Sequence, residues 1–300
     1  MEPRFLALCL NPVIQKTLVF GHIHGGEVNR ALRSRTDASG KGANVARVLM
    51  ERGAAPLHLT HAGGRNRDWF LALCADDHLP VEWVDSGADI RVCITVIDSE
   101  NGSATELVEE ASPVQAGTEA RLMQHFESIA GGFNVLIVSG TKAAGYSDRI
   151  LPAIVASAAQ KGMMTVLDIK GNDLRSCLPF KPRVAKPNLA ELLATFPAPE
   201  NADLREHVGR IALSMKSEHG TDLVVTRGAS PAWFLENGKL VEFPFEPVRA
   251  LNSTGSGDAF TAGLAHILAL GGSLREAIAE GSRMGARNAL NLKVGSIRQG

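Results

Sequence analysis

The sequence predicts an α/β chain built on a mainly parallel sheet covered by helices on both faces, with a small second sheet over the open edge of the main one. Two observations carry this. Short apolar runs alternate with helical patterns along most of the 300 residues. Two segments, Thr17 to Arg33 and Asp89 to Glu109, interrupt that rhythm with alternating polar and apolar residues, the signature of hairpins.

In order, RFLALCL opens the chain as a strand, GANVARVLMERG follows as a helix, and LHLTH, the stretch around RDWFLALCADD, and VEWV continue the alternation. After the second interruption, whose turn signal is Glu100-Asn101-Gly102, the alternation resumes with NVLIVSG, SDRILPAIVASAAQKG, MMTVLDI, RVAKPN, an amphipathic stretch from Asp203 to Ser217, and DLVVTRG. About eight strands are expected in the main sheet. A hairpin, PAWFLENGKLVEFPF, turns at Asn237-Gly238, and two helices follow at roughly Gly255 to Ala269 and Ser273 to Leu290. No repeat or linker divides the chain, so residues 1–300 read as a single domain.

Composition narrows the functional class. Apolar residues make up 45% of the chain and the formal net charge is -1, without any basic block, so a nucleic-acid partner is not expected. No window approaches the roughly 18 apolar residues of a membrane span. The N-terminal run lacks a cleavage pattern, and the four cysteines, Cys9, Cys74, Cys93 and Cys177, are too scattered for a disulfide framework or zinc site, so a cytoplasmic protein is expected.

The chemistry is concentrated in NSTGSGDAFTAGLAHIL, where Gly255 and Gly257 flank Ser256 just before an apolar run with helical spacing. Amides at a helix start have no intrahelical partner and sit at the positive end of the macrodipole, so those of Gly255, Ser256 and Gly257 suit a phosphoryl group. Asp258, in the first turn beside that anion, is placed to accept a proton from an attacking hydroxyl. Taken alone, the tetrapeptide reads first as a tight turn with a carboxylate that complements the dipole. A dinucleotide-binding reading fails because no βαβ unit with a following acidic residue continues from these glycines.

LNSTGSGDAF resembles the C-terminal signature, DTxGAGDxF, of the ribokinase-like (PfkB-type) sugar kinases. The stretch from Ala38 to Ala46, ASGKGANVA, resembles the family's glycine-rich N-terminal signature, more than 200 residues upstream. LNPVIQKT at 10–17 and GEVNR at 26–30 are similar to the 1-phosphofructokinase and tagatose-6-phosphate kinase branch, while KPNLAE at 186–191 and VTRG at 225–228 match further family segments.

The resemblance covers essentially the whole chain. It implies a three-layer α/β/α sandwich with a β-sheet lid, here about residues 13–35 and 88–110, and an ATP- and Mg²⁺-dependent kinase that converts fructose 1-phosphate or tagatose 6-phosphate to a bisphosphate. Under it, Asp258 is the base, and Gly255, Ser256 and Gly257 form the anion hole. Gln15, Gly40, Lys41, Asn44 and Arg91 contact substrate, with Lys41 and Arg91 on its existing phosphate. Asn188, Glu191, Thr226, Gly228 and Asn288 serve the nucleotide, and Glu191 reaches Mg²⁺ through water. Helix capping is the simpler account of an Asn188-x-x-Glu191 pair.

Dimerisation through the lid occurs in parts of the family. Gln15 departs from the branch, which carries an Asp there, so a kinase for a non-phosphorylated sugar, polyol or nucleoside stays open, as does a catalytically silent binder. Ser39 and Asn252 also depart, in place of a glycine and an aspartate.

Overall fold

The computed structural model describes residues 2–245 and 247–298. The chain runs β1 (Arg4–Leu8), β2 (Val13–Phe20), β3 (Arg33–Ser39), α1 (Lys41–Glu51), β4 (Ala55–Ala62), α2 (Arg67–Asp76), β5 (Val81–Asp85), β6 (Arg91–Asp98) and β7 (Ser103–Leu107). It continues through α3 (Thr118–Ile129), β8 (Val135–Ser139), α4 (Ile150–Gln160), β9 (Met164–Asp168), α5 (Gly171–Cys177), β10 (Val184–Ala185), α6 (Leu189–Thr195) and α7 (Leu204–His219). β11 (Asp222–Arg227), β12 (Ser230–Glu236), β13 (Lys239–Phe243), α8 (Ser256–Ala269) and α9 (Leu274–Ala289) complete it.

Nine strands form the main sheet in the order β13-β12-β11-β10-β9-β8-β1-β4-β5. From β11 to β5 every neighbouring pair is parallel, and β12 and β13 add an antiparallel hairpin at one edge. The expected apolar runs supply the parallel strands because both faces of such a sheet are buried. Alternate residues divide between two cores. Leu6, Leu8, Leu136 and Val138 pack with Leu122, Phe126, Ile154 and Val208 from α3, α4 and α7. Phe5, Ala7, Val135 and Ile137 pack with Val45, Leu49, Phe70, Leu264 and Ile278 from α1, α2, α8 and α9. Three layers result, as the sequence predicts.

The second sheet has the order β3-β2-β6-β7. Each of the two interrupting segments folds as an antiparallel hairpin, and a parallel pairing of β2 with β6 joins them. At the sheet edge, the Asn237-Gly238 turn has positive φ at both residues, 52° and 74°, as a two-residue hairpin with right-handed strands requires.

β1 lies between β4 and β8, and the strand order runs outward from β1 through β4 to β5 on one side and from β8 to β9 on the other, reversing direction there. In an open parallel sheet the crevice beyond the carboxyl ends of strands at such a switch is the natural binding place.

Candidate active site

The crevice collects residues from five strand ends and two helix starts. Asn11 follows β1, Gly140 follows β8, Asp168 ends β9, Lys186 follows β10, and Thr226 lies near the end of β11, while Lys41 opens α1 and Asp258 sits in the first turn of α8. The second sheet contributes Gln15, Arg91, Cys93 and Glu106 to the same space. A cavity of about 330 Å³ lies between them. It adjoins a smaller one of about 180 Å³, and the two share Gly40, Lys41, Arg91 and Glu191. The smaller space adds Asn11, Thr141 and Lys170.

The glycine turn before α8 is conformationally exacting. Gly255 caps the helix at φ 83°, and a Cβ there would lie 2.7 Å from the Gly295 nitrogen and 2.8 Å from Val294 Cγ1. Ser256 N–H turns back to Ser253 O at 3.1 Å, so of the three amides expected to face an anion that of Ser256 is engaged within the turn. Asp258, 6% exposed, accepts a hydrogen bond from Asn44 Nδ2 at 2.7 Å. Burial pushes its carboxyl up to about 7, with the Asp168 charge adding to the rise, while Lys41, Asn44 and Lys186 oppose it. A carboxyl poised there exchanges protons near neutral pH.

Beside it lies a network of opposite charges. Lys41 Nζ is 3.3 Å from Asp168 Oδ1 and 3.2 Å from Glu191 Oε1, and Lys186 Nζ is 3.4 Å from Asp168 Oδ1. Asp168 is fully buried and also accepts from Ser139 Oγ at 3.3 Å and Thr261 Oγ1 at 3.0 Å. Burial works against its charge, yet Lys186, Lys41 and these hydrogen bonds hold it below the usual carboxylate range. For Lys41, burial is likewise outweighed by Asp168, Asp258 and Glu191, and its pKa is raised. Lys41 is therefore a permanent cation at neutral pH.

The sequence reading missed the importance of Asp168 and Lys186. Each stands at the carboxyl end of a strand run, MMTVLDI and RVAKPN, and that position is the signal that would have found them.

The other expected residues fall into three groups. Gly40 (φ 99°), Lys41, Arg91, Asn188, Glu191 and Thr226 do line the cavity. Arg91 spends one guanidinium nitrogen on Glu109 O at 3.2 Å, and its buried Nε has no partner among the described residues. Asn188 and Glu191 form a reciprocal capping box on α6, and Glu191 Oε1 still reaches Lys41, so the pair both caps and faces the site.

Gln15 and Asn44 line the cavity but are tied to the protein. Gln15 Nε2 donates to Thr95 Oγ1 at 3.0 Å, while Asn44 holds Asp258 through Nδ2 and accepts from Ser39 Oγ and Arg47 Nη1 through Oδ1.

Asn288 and Gly228 lie outside both cavities. Asn288, expected to serve the nucleotide, is fully buried and braces the glycine turn. Its Nδ2 donates to Thr254 O at 2.9 Å and Ser256 Oγ at 3.1 Å, and its Oδ1 accepts from Ser296 N at 3.1 Å. Gly228, at φ 62°, makes the turn between β11 and β12.

Sequence family and fold define the class as a phosphotransferase with an alcohol acceptor. The chain belongs to the pfkB family of carbohydrate kinases, whose description, pfkB family carbohydrate kinase, matches residues 6–296. Among solved structures, phosphofructokinase-2 from Escherichia coli in complex with fructose-6-phosphate is similar at a TM-score of 0.86 and 22% identity, covering 98% of this chain and 96% of that one. A possible 1-phosphofructokinase from Thermotoga maritima aligns at a TM-score of 0.86 and 18% identity over 97% and 93%. The tetrameric inhibited form of the Escherichia coli phosphofructokinase-2 aligns at 0.84 and 21% over 97% and 95%.

Proposed function

We propose that this kinase transfers the γ-phosphoryl group of ATP to a hydroxyl of a sugar phosphate, first fructose 1-phosphate and second tagatose 6-phosphate, giving the 1,6-bisphosphates. One observation carries the reading. The cavity holding Asp258 shares Lys41 and Arg91 with a pocket that Lys170 also borders, alongside Asp168 and Glu191, and the buried Arg91 Nε has no partner among the described residues. An acceptor with a phosphate in that pocket presents its hydroxyl toward Asp258. A point charge plus a planar fork is the donor set that holds such a dianion.

In the proposed reaction Asp258 accepts the hydroxyl proton as the oxygen attacks phosphorus, and the Gly255 and Gly257 amides stabilise the charge on the phosphoryl oxygens. Lys186, 3% exposed at its side chain, adds fixed positive charge beside the helix start. The second sheet acts as a lid that excludes water. Glu191, which lines both cavities, is the residue that would contact the water shell of a Mg²⁺ ion held mostly by phosphate oxygens. When bound, Mg²⁺ supplies neutralisation of phosphate charge.

Two wider assignments accompany this reading. The exposed edge strand β7, with Leu107 and the following Val108, favours a homodimer formed through the lid, and Val28 and Leu32 are exposed in the segment that enters β3 at the other edge of that sheet. Four free, buried cysteines favour a cytoplasmic setting.

The test is a coupled ADP-release assay over sugars, polyols, nucleosides and sugar phosphates. Turnover with a sugar phosphate and an on the order of 10²-fold rise in its KM in Lys41→Ala are expected. Turnover only with uncharged acceptors, or an unchanged KM in Lys41→Ala, would move the assignment to a neutral acceptor, the reading that Gln15 favours.

A further inference from the structure

Among the described residues, β7 makes one side-chain hydrogen bond to the rest of the protein outside its own sheet. Glu106 Oε1 accepts from Thr254 Oγ1 at 2.9 Å. Both residues line the same cavity as Asp258. Thr254 immediately precedes Gly255 and is held from three sides: its N–H donates to Asn252 Oδ1 at 3.1 Å, its carbonyl accepts from Asn288 Nδ2 at 2.9 Å, and its hydroxyl is given to Glu106. The edge strand of the second sheet is thereby tied to the turn that presents the Gly255 and Gly257 amides.

We infer that the Glu106–Thr254 hydrogen bond is a latch that holds the lid closed over the acceptor and sets the glycine turn at the same time, making Glu106 a positioning residue for the acceptor. The placement has the properties a latch needs. β7 is exposed along its whole length and, among the described residues, pairs only with β6, so little else keeps it against the body. A single hydroxyl-to-carboxylate bond is strong enough to bias closure and weak enough to break in each turnover.

The inference rests on the sugar-phosphate kinase reading for its kinetic test but has a structural test of its own.

The experiment compares Glu106→Ala, Glu106→Gln, Thr254→Val and the Glu106→Ala/Thr254→Val double variant, using the sugar phosphate with the highest turnover in the panel. Amide hydrogen exchange is followed over residues 103–107. Glu106→Ala and Thr254→Val should each raise the acceptor KM about tenfold with the ATP KM nearly unchanged, and the double variant should be no worse than either single. Glu106→Gln, whose amide oxygen still accepts from Thr254, should stay within about threefold of the parent. Exchange in 103–107 should quicken in both single variants while Tm holds.

Parent-like kinetics and exchange in Glu106→Ala overturn the latch, and so do additive effects in the double variant or a Glu106→Gln variant as impaired as Glu106→Ala. If no acceptor in the panel is turned over, the kinase reading fails, and unchanged exchange is then the result that overturns the latch.

Discussion

Asp258 is held in an electrostatic compromise. Burial raises its pKa to about 7, and Lys41, Asn44 and Lys186 keep it from rising further. A base must be ionised to act, so kcat/KM should climb with pH through about 7 and level off above it, which a pH-rate profile of the free enzyme measures. Asp258→Asn should lower kcat by on the order of 10²-fold or more with little change in ATP affinity.

The same residue carries a stability consequence. A carboxyl whose folded pKa lies above its unfolded value of 3.8 makes the fold lose stability as pH rises from about 4 to 7, because the folded state must give up a proton the unfolded state has already lost. Asp258→Asn removes that cost. It should therefore raise Tm by on the order of 5 °C at pH 8 and by much less at pH 5, read by calorimetry. A Tm gain equal at both pH values would contradict the buried-carboxyl account.

At the level of elements, α9 and the chain after it hold the start of α8 from behind. Asn288 satisfies Thr254 O, Ser256 Oγ and Ser296 N together, and Gly255 packs against Gly295. Gly255→Ala introduces a Cβ into contact with backbone at a φ that L residues avoid, a cost of about 1–3 kcal/mol. Asn288→Ala leaves buried groups unpaired and costs about 3 kcal/mol. Both variants should lower the denaturant midpoint and kcat together. Retained kcat in a folded Gly255→Ala protein would separate the turn from the chemistry.

Across the whole molecule, buried histidines oppose Asp258 in the response to acid. Burial lowers both His58 and His61 on β4 to about 4, and His266 is lowered in the same direction. Between about pH 6.5 and 4 the unfolded chain binds protons that these folded side chains refuse, so they make stability fall as pH falls. Asp258 works the other way over much of that window. The parent should lose stability only gently on acidification from pH 7 to 5, and Asp258→Asn should lose it more steeply, as urea titrations at several pH values will show.

Much of the architecture was legible in the chain because its signals are local. Apolar runs mark strands buried on both faces, Asn237-Gly238 marks a hairpin, and glycines before an apolar helix mark an anion-binding turn. Lys41 and Asp258 were visible because their segments are recognisable without their partners.

Contacts between distant residues were not legible in that way. Asp168 joins Lys41, Lys186, Ser139 and Thr261 across four elements, and nothing near position 168 announces it beyond its place at a strand end. The bracing contacts of Asn288 were not legible either, because helix packing puts its amide against the turn 32 residues earlier. The Gly-Ser-Gly-Asp run by itself determined that an anion and a carboxylate could meet at one helix start. Folding decided the rest, because the burial and the neighbouring charges of Lys41 and Asp168 that set the carboxylate's pKa exist only once the chain has closed around it.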